Sequence, residues 1–116
     1  MTEKDALRNF YECVNCDDLD GALAALKSIS AETLNHQDGD DYDLLIQAAA
    51  TGNDCAVEAL LKDGRCDTTH EENLCGRTAF DFGMDYPADS RIHQAFAAAM
   101  PERYEKYLAT RGKKAD

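Results

Sequence analysis

Several things are scarce in this chain, and each scarcity excludes something. Two prolines and seven glycines in 116 residues leave no low-complexity linker, and a chain of this length is expected to form one domain. The longest apolar run, residues 95–100, is six residues, where about twenty are needed to cross a bilayer. The N-terminal MTEKD is charged and lacks the apolar segment of a secretory signal, so the expected location is cytoplasmic. Cations are few: 12 Lys and Arg stand against 23 Asp and Glu, a net charge of −11. Phosphate contacts need clustered Lys and Arg, which argues against nucleic acid and anionic membranes as partners. A basic protein fits the charge.

Reactive constellations are also missing. His36, His70 and His93 form no H-x-x-x-H or H-E-x-x-H pattern, and Ser28, Ser30 and Ser90 lack the glycine-flanked elbow of a hydrolase. No Gly-rich phosphate loop occurs. No catalytic residue is therefore assigned, and the chain is not expected to be an enzyme. Five cysteines, an odd number, are expected to be free thiols in helix packing. Cys13 and Cys16 form a C-x-x-C, with Cys66, His70 and Cys75 further on, but there is no second C-x-x-C to complete a zinc knuckle pair. Asp38, Asp40, Asp41 and Asp43 resemble the start of a calcium loop, yet the sixth and twelfth positions are Asp43 and Ala49 instead of Gly and Glu. Neither a metal nor a cofactor is expected.

What is present is helical patterning. Residues 40–64 read DDYDLLIQAAATGNDCAVEALLKDG. Leu44, Leu45, Ala48 and Ala49 fall on one helix face, and Ala56, Val57, Leu60 and Leu61 on another. Gly52 is placed to end the first helix in a left-handed conformation, Asn53 to cap the second, and Gly64 to end it. Upstream, Thr2 and Asp5 offer a capping box for a helix with Ala6, Leu7, Phe10, Tyr11 and Val14 as its apolar face. Asp17-Asp18 breaks the chain before a helix faced by Leu19, Ala22, Leu23 and Leu26. Downstream, Thr78 caps a segment to Met84. Ile92, Ala95, Phe96 and Ala99 form the stripe of the next helix, and Pro101 opens a last one, with Tyr104, Tyr107 and Leu108 inward and Gly112 at its end. Such hairpins hold more apolar surface than they can bury alone.

The paired alanines Ala48-Ala49, mid-segment Gly52, Val57, Leu60-Leu61 and terminal Gly64 resemble an ankyrin repeat, although its T-P-L-H is here Asp43, Leu44, Leu45 and Ile46. Gly76-Arg77-Thr78-Ala79-Phe80-Asp81 resembles the start of another copy, with Phe80 35 residues after Leu45. Asp17 stands 35 residues before Gly52, the mark of an earlier copy. The family period is about 33. The resemblance implies an all-α, ankyrin-like helical-hairpin solenoid with repeats over 5–35, 36–67 and 68–99 and a capping helix over 101–111. It also implies projecting finger loops at 36–41 and 67–75.

That fold points to non-catalytic protein recognition, by analogy of fold alone. The acidic fingers sharpen it: Asp38, Asp40 and Asp41 at one tip and Glu71 and Glu72 at the next would form a carboxylate ridge, with Tyr42 as an aromatic anchor. The expected protein is monomeric when free and acts as an acidic inhibitor or immunity-type partner of a basic protein. The same acids also read as solvated turns, and Tyr42 as cover for the core edge. Two further readings stand beside it, a metal- or thiol-dependent regulator using Cys13 and Cys16, and a simple assembly adaptor.

Overall fold

The structure, a computed structural model, describes residues 2–37, 42–72 and 76–114, with side chains as far as residue 110. The described residues form eight helices and no strand: α1 (Glu3–Asn15), α2 (Leu19–Leu26), α3 (Ala31–Leu34), α4 (Leu44–Thr51), α5 (Asp54–Asp63), α6 (Ala79–Met84), α7 (Arg91–Ala99) and α8 (Pro101–Lys114). The all-α expectation holds.

Local sequence sets nearly every boundary. The Thr2 hydroxyl accepts from the Asp5 N–H and the Asp5 carboxylate accepts from the Thr2 N–H, completing the capping box. Thr78 and Asp81 repeat that box at α6, and Asp18, Asn53 and Ser90 cap α2, α5 and α7. Gly52 and Gly64 end α4 and α5 with φ of +80° and +82°. Asp17 adopts the same region, φ +58°, at the position where the later hairpin carries Gly52. One boundary differs from expectation. α8 continues through Gly112 to Lys114, because an interior glycine weakens a helix by about 1 kcal/mol but does not forbid it.

The helices associate in pairs. α1 packs on α2, α4 on α5, and α6 on α7, while α2, α5 and α7 form one continuous row and α4 lies beside α6. The core runs through all of them, from Ala6, Phe10 and Val14 through Leu45, Val57 and Leu60 to Phe80, Ile92 and Phe96. Full burial of each large side chain stabilises by roughly 1.5–3 kcal/mol. The body measures 54 × 28 × 21 Å, with a radius of gyration of 14.4 Å against about 13 Å for a compact chain of similar size. It is longer in one direction than in the other two.

Beyond its apolar core, side-chain hydrogen bonds link the pairs. Arg91 of α7 donates to Glu58 on α5 and to Asp17 in the α1–α2 connection, the latter at 2.6 Å. Arg65 reaches back to the end of α2, donating to the carbonyls of Leu26 and Ile29 at 2.7 Å each. At the other end, α8 is fastened by polar contacts as well as by Tyr104 and Tyr107. His93 is buried, its Nδ1 3.1 Å from the Tyr86 carbonyl and its Nε2 3.0 Å from the Tyr104 hydroxyl. A carbonyl only accepts, so Nδ1 carries the proton and Nε2 accepts from tyrosine. The Tyr86 hydroxyl in turn donates to the Ala49 carbonyl at 2.6 Å, tying α4 into the same chain.

Candidate functional site

The two expected finger loops share a footing. Asn35, at the end of α3, donates to the Arg65 carbonyl at 3.1 Å and accepts from the Asp67 N–H at 2.7 Å, so the chain entering one loop is bonded to the chain entering the other. Asp67 then accepts from the Thr69 N–H and hydroxyl, which holds its carboxyl below the ordinary range. Asp38, Asp40 and Asp41 lie outside the described residues. Glu71 is exposed.

Glu72 departs from expectation, being 3% exposed. Its N–H donates to the Arg77 carbonyl, its carbonyl accepts from Gly76, and its carboxylate accepts from the Arg77 N–H at 3.1 Å. It closes the loop from inside. A carboxylate turned inward to meet backbone N–H groups fits the rule that buried charge is hydrogen-bonded, and it removes Glu72 from the acidic ridge. Tyr42 is half-buried and lies edge-to-face on Phe82 with ring centroids 5.8 Å apart, so its ring covers the start of α4 against α6.

Asp43, just beyond the first loop, is the buried acid that starts α4. Its Oδ1 accepts from the Ile46 N–H at 2.9 Å, and its Oδ2 meets no hydrogen-bond partner among the described residues. Burial pushes its pKa up, against the pull of that N–H. A folded-state pKa above the unfolded value favours the fold while the group is protonated, and that contribution is lost as pH rises through the folded value. Asp43→Asn keeps the capping oxygen without the charge. The stability difference between Asp43→Asn and the parent, followed by urea unfolding, is expected to move in favour of Asn from acid pH to neutrality. A difference that stays flat across that window would show that the carboxyl is not held protonated.

The surface not foreseen lies between α1 and α4. α1 packs on α2 and α5 but not closely on α4, which leaves a cleft with two adjoining parts. The wider part, about 380 Å³, is lined by Leu7, Tyr11, Glu32, Thr33, His36, Leu44 and Gln47. The narrower, about 160 Å³, shares Tyr11, Leu44 and Gln47 with it and is floored by Phe10, Ala48 and Ala56. Tyr11, expected among the core-facing residues of α1, is 42% exposed. Ala6, Phe10 and Val14 take the core side, and Leu7 and Tyr11, one position round the helix, form the cleft wall. The α3 wall is fixed by Glu3, whose carboxylate accepts from the Ser30 N–H at 2.6 Å and its hydroxyl at 2.8 Å. The Ser30 N–H, then the hydroxyls of Thr33 and Ser30, hold the Glu3 pKa below the usual carboxylate range.

No family model, curated protein or solved structure matches this chain.

The cysteines offer less chemistry than their spacing suggests. Cys13, Cys16, Cys55 and Cys66 are free, and Cys75 lies outside the described residues. Burial, then the neighbouring Asp18, pushes the Cys13 thiol up, and burial beside Asp43 pushes Cys66 to about 12. Both shifts oppose the thiolate that metal binding or redox attack requires. Among the described residues, no group of three or more His, Cys, Asp or Glu is placed to hold a metal ion, and no helix is long and apolar enough to cross a membrane.

Proposed function

We propose that this chain is a non-catalytic protein-recognition module, a short ankyrin-like stack that binds a basic protein. The observation that carries this reading is the α1/α4 cleft. Its narrow part has an apolar floor of Phe10, Ala48 and Ala56, a half-exposed tyrosine is shared by both parts, and one end lies at His36, the foot of an acid-rich loop. Half-exposed tyrosines beside apolar pockets are the residues on which protein interfaces concentrate their energy. The net charge of −11 supports a basic partner and fast encounter with it. The bonded loop feet at Asn35 and Asp67 support a single acidic rim made of both loops. Masking a basic enzyme or toxin, as an inhibitor or immunity-type partner does, is the role these features suit.

Capture from a lysate at two salt concentrations tests the reading. The immobilised chain is expected to retain a basic protein near 0.1 M salt and release it near 1 M, as the screening length falls from about 10 Å to about 3 Å. Charge reversal of Asp38, Asp40, Asp41 and Glu71 to lysine should abolish capture while circular dichroism stays unchanged. Glu72 is left intact because it holds the loop together. Capture indifferent to both salt and reversal would end the proposal.

A further inference from the structure

We infer that the occupant of the α1/α4 cleft is a short segment of the partner that seats one aliphatic or aromatic side chain in the narrow part and one Lys or Arg beside Glu32 in the wide part. This rests on the recognition reading and specifies what is recognised. The narrow part has an apolar floor of Phe10, Ala48 and Ala56, and its size suits a single large apolar side chain. Two of those floor residues are short alanines, which is why space remains there although Phe10 itself is fully buried.

The wide part is polar. Glu32 is the one carboxylate lining it, and it is exposed and makes no ion pair among the described residues. A cation from the partner would find there an acceptor with nothing to displace. The opposite lip has the other sign. Lys4 and Arg8 follow Leu7 and Tyr11 round the outer face of α1, and Arg8 pairs with Asp5 at 3.9 Å. A uniformly basic ligand would be repelled on that side, so the cleft selects one cation at the α3 wall, not a run of them. Tyr11, shared by both parts, separates the apolar position from the cationic one. The wall from Leu7 to Tyr11 spans one helical turn, which sets the separation of the two side chains.

The test uses an acetylated alanine-based peptide carrying one leucine and one lysine a helical turn apart, with leucine→alanine and lysine→glutamate controls, titrated into the full chain and followed by amide NMR shifts. Saturable shifts are expected at Leu7, Tyr11, Glu32, Leu44 and Gln47, and each control should bind roughly tenfold more weakly. Tyr11→Ala should weaken the parent peptide by a similar factor, with unchanged circular dichroism showing that the fold survives. Glu32→Lys is an exposed change that should restore binding to the glutamate peptide and remove it from the lysine peptide. Shifts centred on the acidic loops, or on the groove between α5 and α7 lined by Leu61, Arg91, Ala95 and Ala98, overturn the inference, as does failure of the charge swap. If salt-sensitive capture persists while the swap fails, the recognition reading stands and the cleft assignment falls. If the peptides behave as expected but no basic protein is captured, the reverse holds.

Discussion

Arg65→Ala is expected to lower unfolding stability by about 2 kcal/mol. The reason is the position of its guanidinium. At and just past the end of α2, the Leu26 carbonyl, which also accepts from the Ile29 N–H at 3.0 Å, and the Ile29 carbonyl are both met by Arg65 from the start of the next loop. Hydrogen bonds from a charged donor are worth roughly 1.5–3 kcal/mol each, and partial exposure of the side chain brings the pair toward the low end. The same guanidinium contacts Asp63 at 2.8 Å, which offers a rival account in terms of an ion pair. Exposed ion pairs contribute about 0–1 kcal/mol. Asp63 is 12% exposed and meets Arg65 through both oxygens, at 2.8 and 3.1 Å, which places this pair at the upper end of that range, still below two hydrogen bonds from a charged donor to carbonyls. Asp63→Asn should therefore cost less than Arg65→Ala, and Arg65→Lys, whose ammonium cannot span both carbonyls as the planar fork does, should fall in between. Urea unfolding of the three variants gives the ranking. Equal losses for Asp63→Asn and Arg65→Ala would assign the effect to the ion pair and remove the carbonyl clamp from the account.

That clamp illustrates which parts of the fold were legible in the sequence. Capping is a short-range matter, so the Thr2–Asp5 box and the Thr78 cap were both read from the sequence, although the Asp81 half of the second box was not. Helix faces were read for the most part because 3.6-residue periodicity is also local, but Ala99 and Leu108, expected to face inward, are exposed, Leu108 by 46%. Arg65 bonds across 36 and 39 residues, and Arg91 to Asp17 across 74, so no local pattern announces either. Glu72 was placed at a loop tip on the sound rule that glutamate is exposed. It is buried because the chain turns at Gly76 and brings the Arg77 N–H back to its carboxylate. The cleft was hidden for a different reason. α1 carries an apolar face wider than its core contact needs, and that width was visible in Leu7 and Tyr11 beside Ala6, Phe10 and Val14. Whether the surplus packs on a neighbour or lines a gap depends on the separation of α1 and α4, which is a tertiary quantity. Tyr42 packs edge-to-face on Phe82, whereas Tyr11 is left 42% exposed.

Gly83→Ala is the substitution for which local and tertiary arguments disagree most sharply. Gly83 lies inside α6, has no left-handed backbone and ends nothing. On helix propensity alone, alanine there should stabilise by about 1 kcal/mol. A methyl group at this position, however, would lie 2.6 Å from the Phe96 Cε2 and closer still to Cδ2. Phe96 is fully buried and sits edge-to-face against Phe80, centroids 6.1 Å apart, so its ring has no solvent to retreat into. Overpacking of a filled core costs about 1–3 kcal/mol, more when backbone must shift, and an overlap this deep lies at the upper end. Packing wins, and a net loss of about 2 kcal/mol is expected in urea or thermal unfolding, with the α6–α7 contact loosened. Gly64→Ala is a useful contrast, since its added carbon meets nothing within 4 Å and its cost would come only from a φ of +82°. Trimming the obstructing ring should recover part of the loss, so Gly83→Ala combined with Phe96→Leu should be less destabilised than the sum of the two single changes. Strict additivity, or a Gly83→Ala protein more stable than its parent, would mean that α6 and α7 do not approach as closely as this glycine permits.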